Sequence, residues 1–282
     1  MIKLSDVFFS YNPKSPLENK VLKNLNFEID EGKFTAIVGK TGCGKSTLIQ
    51  MLNGLNLPTE GKINVDEFVV SKNKKERSKK LFLLKKKVGL VFQFSENQLF
   101  EETVEKDVAF GPINFGVKKE DALKIARESI LNVGLDEAFF KRSPFELSGG
   151  EKRKVAIAGI LALKPDYLVL DEPTVGLDNE SAKALLKLLK ELNKKGTSIV
   201  LVTHDMNLVF EYADEVIIIK DGEFKIKGKP EEILQHNLNE YDLMAPDIYK
   251  LCYLLKEKGL EINISSIKSI EDFKSVLKGV KK

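Results

Sequence analysis

Three clusters of residues in this chain have the types and spacing for phosphate chemistry. The first is Gly39-Lys40-Thr41-Gly42-Cys43-Gly44-Lys45-Ser46, with Thr47 directly after it. Glycines at this density let a backbone curl around a polyphosphate with successive amides aimed at its oxygens, and a helix starting there adds the positive end of its dipole. Lys45 would then reach the outer phosphates, and the Ser46 hydroxyl would ligate magnesium. The second cluster is Asp171-Glu172, two acids that end the apolar run Tyr167-Leu168-Val169-Leu170. Carboxylates are costly inside a parallel sheet and tolerable at a strand's C-terminal edge. Asp171 is therefore expected to hold magnesium, directly or through water, and Glu172 to orient or deprotonate an attacking water. The third is His204, at the polar tip of the apolar run Ser198 to Val202. An imidazole there has two readings: a contact to the terminal phosphate that keeps water and Glu172 in register, or a structural hydrogen-bonding side chain. The other histidine, His236, sits in the polar stretch Gln235-His236-Asn237 and is expected to do nothing chemical.

These residues need elements to hold them. Phe34-Thr35-Ala36-Ile37-Val38 reads as a short buried strand and Thr47-Leu48-Ile49-Gln50-Met51-Leu52 as a helix, so the glycine loop lies between strand and helix, as a phosphate cradle requires. Leu147-Ser148-Gly149-Gly150-Glu151-Lys152 precedes a helical pattern through Leu163, with Ser148 placed as its N-cap and Gly149-Gly150 exposing first-turn amides. That is a second anion-binding terminus. Two copies facing each other, each completing the other's site, would use both.

The order of glycine loop, Gln93, Leu147-Ser148-Gly149-Gly150, Asp171-Glu172-Pro173-Thr174, Gly176-Leu177-Asp178 and His204 resembles the ATP-binding cassette (ABC) ATPases. Within that family the chain is similar to the ATPase subunits of energy-coupling factor (ECF) transporters. Gly89 to Phe94, Glu96 to Phe100 with Glu102-Thr103-Val104, Asp107 to Pro112, Ser143 to Glu146 and Val155 to Gly159 carry that likeness. The Leu99 to Val104 wording and the extra residues Pro13 to Lys20 look like the second of the two ATPase types in such complexes. The resemblance implies an α/β fold: a RecA-like P-loop core, an antiparallel β subdomain, a helical signature subdomain over about 93–164, and a small helical appendage. The cassette would span 1–236 and the appendage 237–282, with a dimerisation role.

The same resemblance implies ATP and Mg2+ as ligands, with Tyr11 stacked on adenine and Gln93 touching the metal while signalling to a transport partner. Asp178 would lie at the interface of a cassette dimer, and Ser148, Gly149, Gly150 and Glu151 would face the ATP of the opposite subunit. Glutamine is usual at position 151; a glutamate suits a helix N-terminus but sits poorly beside a triphosphate. The implied partners are a second cassette, sibling or self, a transmembrane scaffold docking near Gln93 to Gly116, and, indirectly, a membrane protein that binds the vitamin or metal ion being imported. The alternatives are an ATPase for an ordinary importer and a soluble ATPase outside transport.

Composition sets outer limits. At 282 residues and 43% hydrophobic content the chain can bury one sizeable core plus an appendage. Its longest apolar run, Val155 to Leu163, is too short for a membrane span, and Met1 to Asp6 lacks the apolar core of a signal peptide. The expectation is a cytoplasmic protein that reaches the membrane face through a partner. Two cysteines, Cys43 and Cys252, make no disulfide framework. A net charge of +3 does not argue for nucleic acid, and the basic stretch from Lys72 to Lys87 lacks interleaved aromatics; it reads as a solvated face or a weak lipid contact. In the tail, Ile248, Leu251, Cys252 and Leu255 share a helical face. A second helix is expected from Ser269, with Ile270, Phe273 and Leu277 inward.

Overall fold

Runs of five or six residues without an exposed position mark the strands buried on both faces. In the computed structural model, which describes residues 1–260, 262, 267 and 270–279, those strands are Phe34–Val38, Tyr167–Asp171, Ser198–Thr203 and Glu215–Lys220. The chain begins with β1 (Ile2–Tyr11), β2 (Asn19–Ile29), β3 (Phe34–Val38), α1 (Lys45–Leu52), β4 (Glu60–Val65), β5 (Phe68–Val70), α2 (Leu84–Lys87) and β6 (Val88–Val91). A helical stretch follows: α3 (Val104–Asn114), α4 (Lys119–Asn132) and α5 (Gly149–Leu161). The chain then returns through β7 (Tyr167–Asp171), α6 (Asn179–Lys194), β8 (Ser198–Thr203), α7 (Met206–Tyr212), β9 (Glu215–Lys220) and β10 (Glu223–Gly228). Three helices close it: α8 (Pro230–Ile233), α9 (Asp247–Glu257) and α10 (Ile270–Gly279).

Two sheets result. β1, β2, β4 and β5 form an antiparallel sheet in the order β2-β1-β4-β5, and β1 alternates buried and exposed side chains as a half-buried strand should. The second sheet has the order β10-β9-β3-β8-β7-β6, parallel from β9 to β6. Its register decides where function can sit. Val38 at the end of β3 pairs with Thr203 at the end of β8, and Asp171 at the end of β7 pairs with Val202. The glycine loop, Glu172 and His204 all leave the sheet at one edge, the C-terminal edge where open α/β sheets bind ligands.

One face of the parallel sheet packs on the antiparallel sheet through Ile37, Val169, Val200 and Ile217, beside Leu48 and Met51 of α1. The other face meets the helical arm through Phe34, Leu168, Leu170 and Leu201, with Val108, Ala126 and Ile157 in the same cluster. In that arm the buried carboxylate of Glu105 pairs with Arg127 and Lys141 and so ties α3 to α4 and to the turn before α5. Of the basic stretch, Lys87 is no free cation. It forms ion pairs with Asp66, Glu67 and Asp166.

Leu238, Leu243 and Tyr249 pack against Ala36, Val38 and Ile218, so the tail is seated on the parallel sheet. Asn207 and Asp247 exchange hydrogen bonds between α7 and the start of α9. A further small cluster joins Cys252, Ile262, Ile267 and Phe273, with Ile248 and Leu255 against it. Two expectations fail in this region. Leu251 is exposed, because the packed stripe runs through Ile248, Cys252 and Leu255 and leaves it on the flank; Leu277 is exposed because Val276 takes the inward place beside Phe273. The expected start at Ser269 lies outside the described residues.

Candidate functional site

A cavity of about 440 Å³ opens at the C-terminal edge of the parallel sheet. Tyr11, Thr41, Gly42, Gly44, Lys45, Ser46 and Thr47 line one side of it; Gln93, Asp171, Glu172 and His204 line the other. Sequence positions spread over nearly the whole cassette thus meet at one place. The cradle itself follows from local geometry. Gly44 is the N-cap of α1 with φ +100 and no side chain caps that helix, so its first amides are left for a ligand. A Cβ on Gly44 would come within 2.5 Å of Leu22. Lys45, 6% exposed, folds back and donates from Nζ to the carbonyls of Gly39 (2.7 Å) and Lys40 (3.0 Å).

Asp171 is the most constrained acid here. Its Oδ1 is buried with no hydrogen-bond partner. Burial pushes its carboxyl pKa up, while a hydrogen bond from Ser46 and the charge of Lys45 act in the opposite direction. A buried, unpartnered carboxylate oxygen next to a hydroxyl, facing a cavity, is the donor set that a hard divalent cation takes. Glu172 has φ +45, a left-handed conformation that a non-glycine residue adopts rarely. Its N–H is held by the Val202 carbonyl at 3.0 Å, and its Oε1 lies 2.7 Å from His204 Nδ1. His204 lines the cavity with its ring 58% exposed and turned to Glu172 rather than packed in the core, a placement that fits both readings of this side chain.

Tyr11 presents its ring to the cavity, edge-on to Phe9 at a centroid distance of 4.9 Å, with its hydroxyl 3.2 Å from Thr47 Oγ1. Gly39, Lys40 and Cys43 do not line the cavity. The first two supply the carbonyls that hold Lys45, and Cys43 is buried with its Sγ 3.9 Å from Lys45 Nζ. Burial pushes that thiol's pKa up despite the nearby lysine.

The remaining candidates gather elsewhere. Ser148, Gly150 and Glu151 line a second cavity of about 250 Å³ between the starts of α5 and α6, and no residue lines both cavities. Gly149 is the first residue of α5, and Asp178 caps α6 by accepting from the Ser181 amide at 2.9 Å. The signature terminus is closed by a capping box. The Glu151 carboxylate accepts from both the N–H and the hydroxyl of Ser148, each at 2.8 Å, and these bonds hold it below the usual glutamate range. In one chain, then, the two anion-ready termini do not face the same space.

Two charged residues at the centre of this arrangement, Arg153 and Glu96, were invisible as site residues in sequence. Glu96 fell in a stretch that carried only the family likeness, and Arg153 between two lysines in the helical pattern after Ser148. The available signal was helical phase: Arg153 lies one turn before the buried Ile157 and on the same face.

Comparison with known proteins agrees with this geometry. The family described as ABC transporter matches residues 22–175. Over 280 residues the chain is 48% identical to the energy-coupling factor transporter ATP-binding protein EcfA2 of Streptococcus pneumoniae serotype 2, with 99% of both chains covered. It is 47% identical over 279 residues to the protein of the same name from Streptococcus pyogenes serotype M28, covering 98% of this chain and 99% of that one. Among solved structures it resembles cbiO1 of Clostridium perfringens, part of the ABC transporter complex cbiONQ (TM-score 0.74, 33% identity, 92% of this chain and 96% of that chain). It also resembles the cassette MJ0796 in a dimeric post-hydrolysis state bound to ADP and Pi (TM-score 0.71, 33% identity, 82% and 99%). Fold, site geometry and full-length similarity together place the chain in the ATP-binding cassette ATPases, with the ATP-binding subunits of energy-coupling factor transporters.

Proposed function

We propose that this chain is the ATP-hydrolysing subunit that energises an ECF-type importer of vitamins or transition-metal ions, working as one half of a cassette dimer. The observation that carries the hydrolytic part is the meeting of Lys45, Asp171, Glu172 and His204 in one cavity at the sheet edge. ATP would lie with its phosphates over the amides of Gly42 to Thr47 and its adenine against Tyr11. Lys45 would leave the Gly39 and Lys40 carbonyls for the outer phosphates. Ser46, Asp171 and Gln93 would hold Mg2+, which when bound would supply positive charge against the charge developing on the phosphates. Glu172 would orient and deprotonate water for in-line attack, and His204, bonded to it, would fix its direction.

The separation of the two termini supports the dimeric half of the reading. The signature terminus of one chain would cover the ATP of another, with Asp178 between them, and binding and release would close and open the pair. The appendage from about residue 237 exposes Leu251, Tyr253 and Leu254 and would extend that contact. A transmembrane scaffold would enter a groove of about 210 Å³ floored by Leu90 and Leu99 and walled by Phe110, Ala156, Gly159 and Ile160. Phe100 and Phe110 stand exposed at its rim, edge to face at 4.9 Å. No described helix is long and apolar enough to cross a membrane, so attachment to the cytoplasmic face would be peripheral and through that scaffold.

Gentle solubilisation of native membranes and mass spectrometry of what co-purifies with the tagged chain tests the reading. A second cassette, a multi-span scaffold and several small membrane proteins are expected. Recovery with a periplasmic-type binding protein would point to an ordinary importer, and a soluble dimer without any membrane chain would remove transport.

Glu151 gives a sharper check on the trans contact. Its carboxylate is ionised at neutral pH and occupies the Ser148 hydroxyl, the donor a partner's terminal phosphate would need. Glu151→Gln removes a negative charge from beside the triphosphate and keeps a capping group. The KM for ATP is expected to fall about threefold to tenfold, the size of one helix-terminus charge effect. An unchanged or higher KM in steady-state hydrolysis would mean that Glu151 does not face the nucleotide.

A further inference from the structure

Arg153 is 3% exposed, and its guanidinium makes five hydrogen bonds, matching its five donors. Nε donates to Glu96 Oε2 at 3.1 Å, and Nη2 donates to both carboxylate oxygens at 2.7 Å. Nη1 donates to the carbonyls of Pro173 (2.7 Å) and Val175 (2.8 Å). One side chain thereby touches three functional regions. Glu96 belongs to the short turn Ser95–Gln98, whose Ser95 and Gln98 line the groove beside α3. Arg153 itself lines the signature cavity. Val175 lines the catalytic cavity, and the carbonyls of Pro173 and Val175 flank the turn that leaves Glu172.

That turn needs an external hold. Glu172 is in the left-handed region, a conformation costing on the order of 1–3 kcal/mol that persists only where its surroundings over-determine it. Val202 fixes the turn from the sheet side, and the Val175 N–H returns to the Glu172 carbonyl at 3.2 Å. Arg153 fixes it from the helical side. Lysine could not do the same, because a single ammonium cannot present a planar fork to a carboxylate and two carbonyls at once.

We propose that Arg153 is a positioning residue for Glu172, and that the Glu96–Arg153 pair carries the position of the groove-lining turn to the catalytic cavity. Arg153 is buried with all five donors used and Glu96 is half-buried against it, so a shift of the Ser95–Gln98 turn moves the guanidinium with it, and the two carbonyls follow. The coupling half of this proposal rests on the reading of the groove as the scaffold's docking site. The positioning half does not.

The test uses the full-length chain with Arg153→Lys, Glu96→Gln and the pair combined. Each single variant is expected to lower kcat about tenfold to a hundredfold, as misplacement of a catalytic group by about an ångström does. ATP affinity is expected to stay within about twofold, because the phosphate cradle is untouched. The double variant falls no further than Arg153→Lys alone, since both act through one tie. In a Glu172→Gln background, Arg153→Lys has no further effect on kcat. Unchanged kcat in the single variants, effects that multiply, or the same factor lost again without the Glu172 carboxylate would each overturn the positioning role. Should Arg153→Lys not fold, Glu96→Gln decides by the same readouts, because it keeps the guanidinium but loosens the carboxylate that sets where it, and with it the two carbonyls, is held. For the coupling half, the scaffold is expected to alter the wild-type kcat and to leave that of Glu96→Gln unaltered while still co-purifying with it. Equal stimulation of both proteins would overturn the coupling; failure of any scaffold to bind the wild-type chain would overturn the docking reading and leave the positioning result standing.

Discussion

Glu172→Gln is expected to bind ATP as tightly as the unmodified chain, to accumulate as an ATP-bound dimer, and to hydrolyse ATP about a thousandfold more slowly. The substitution removes basicity and little else. The amide has the volume of the carboxylate, can still hydrogen-bond His204 across the 2.7 Å now bridged by Oε1, and leaves the Val202 contact to the backbone intact. A positioned general base contributes about 10²- to 10⁴-fold, so the loss should fall in that range. Dimer accumulation follows from order of events: closure needs the phosphates and reopening needs their cleavage. Phosphate release and size-exclusion chromatography with and without ATP check both parts. Turnover near the unmodified rate would move the base elsewhere, and slow turnover without an ATP-stabilised dimer would detach hydrolysis from closure.

That Lys45, Asp171, Glu172 and His204 would meet at one edge of a sheet was legible in the sequence, and the reason is physical. Phosphate binding demands glycines, a lysine and a hydroxyl in close succession, and strands buried on both faces announce themselves by mostly apolar runs such as Phe34 to Val38 and Tyr167 to Leu170. Register then follows, because acids and a histidine ending such runs have one tolerable place. What escaped was set by contacts between distant segments. That His204 lies beside Glu172 is one such contact, made between residues 32 positions apart. The positive φ of Glu172 has no sequence marker, since glycine does not occupy the position.

Arg153 was hidden by its neighbours. Lys152-Arg153-Lys154 looks like a solvated basic stretch, and only packing against Glu96, 57 positions earlier, turns its middle member inward. The tail failed for a related reason: Leu251 and Leu277 fit an apolar helical stripe, yet a four-residue cluster is too small to cover a stripe's full width. Helical phase identifies a face. How much of that face is buried depends on the surface it meets.

Lys45→Met is expected to weaken ATP binding about a hundredfold, a change near 2.7 kcal/mol, while the protein remains folded. The reasoning starts from where the ammonium rests without ligand. It is buried at the base of the loop, holding the carbonyls of Gly39 and Lys40 at 2.7 and 3.0 Å. Methionine matches its length and apolar stem but leaves those carbonyls without a donor and removes the one cationic side chain lining the catalytic cavity among the described residues. Preorganised charge in a water-poor site is worth several kcal/mol toward phosphate oxygens, and the loop amides alone cannot replace it. Lys45→Arg separates charge from shape. Its guanidinium keeps the charge but is too broad to enter the space between two carbonyls and the Cys43 sulfur, so affinity should recover only in part and turnover hardly at all. Equilibrium binding of ATP to the three proteins, with thermal melting as the control for folding, reads this directly. Equal affinity in Lys45→Met would mean that the amides of Gly42 to Thr47 hold the phosphates unaided, and full recovery of turnover in Lys45→Arg would mean that charge alone suffices.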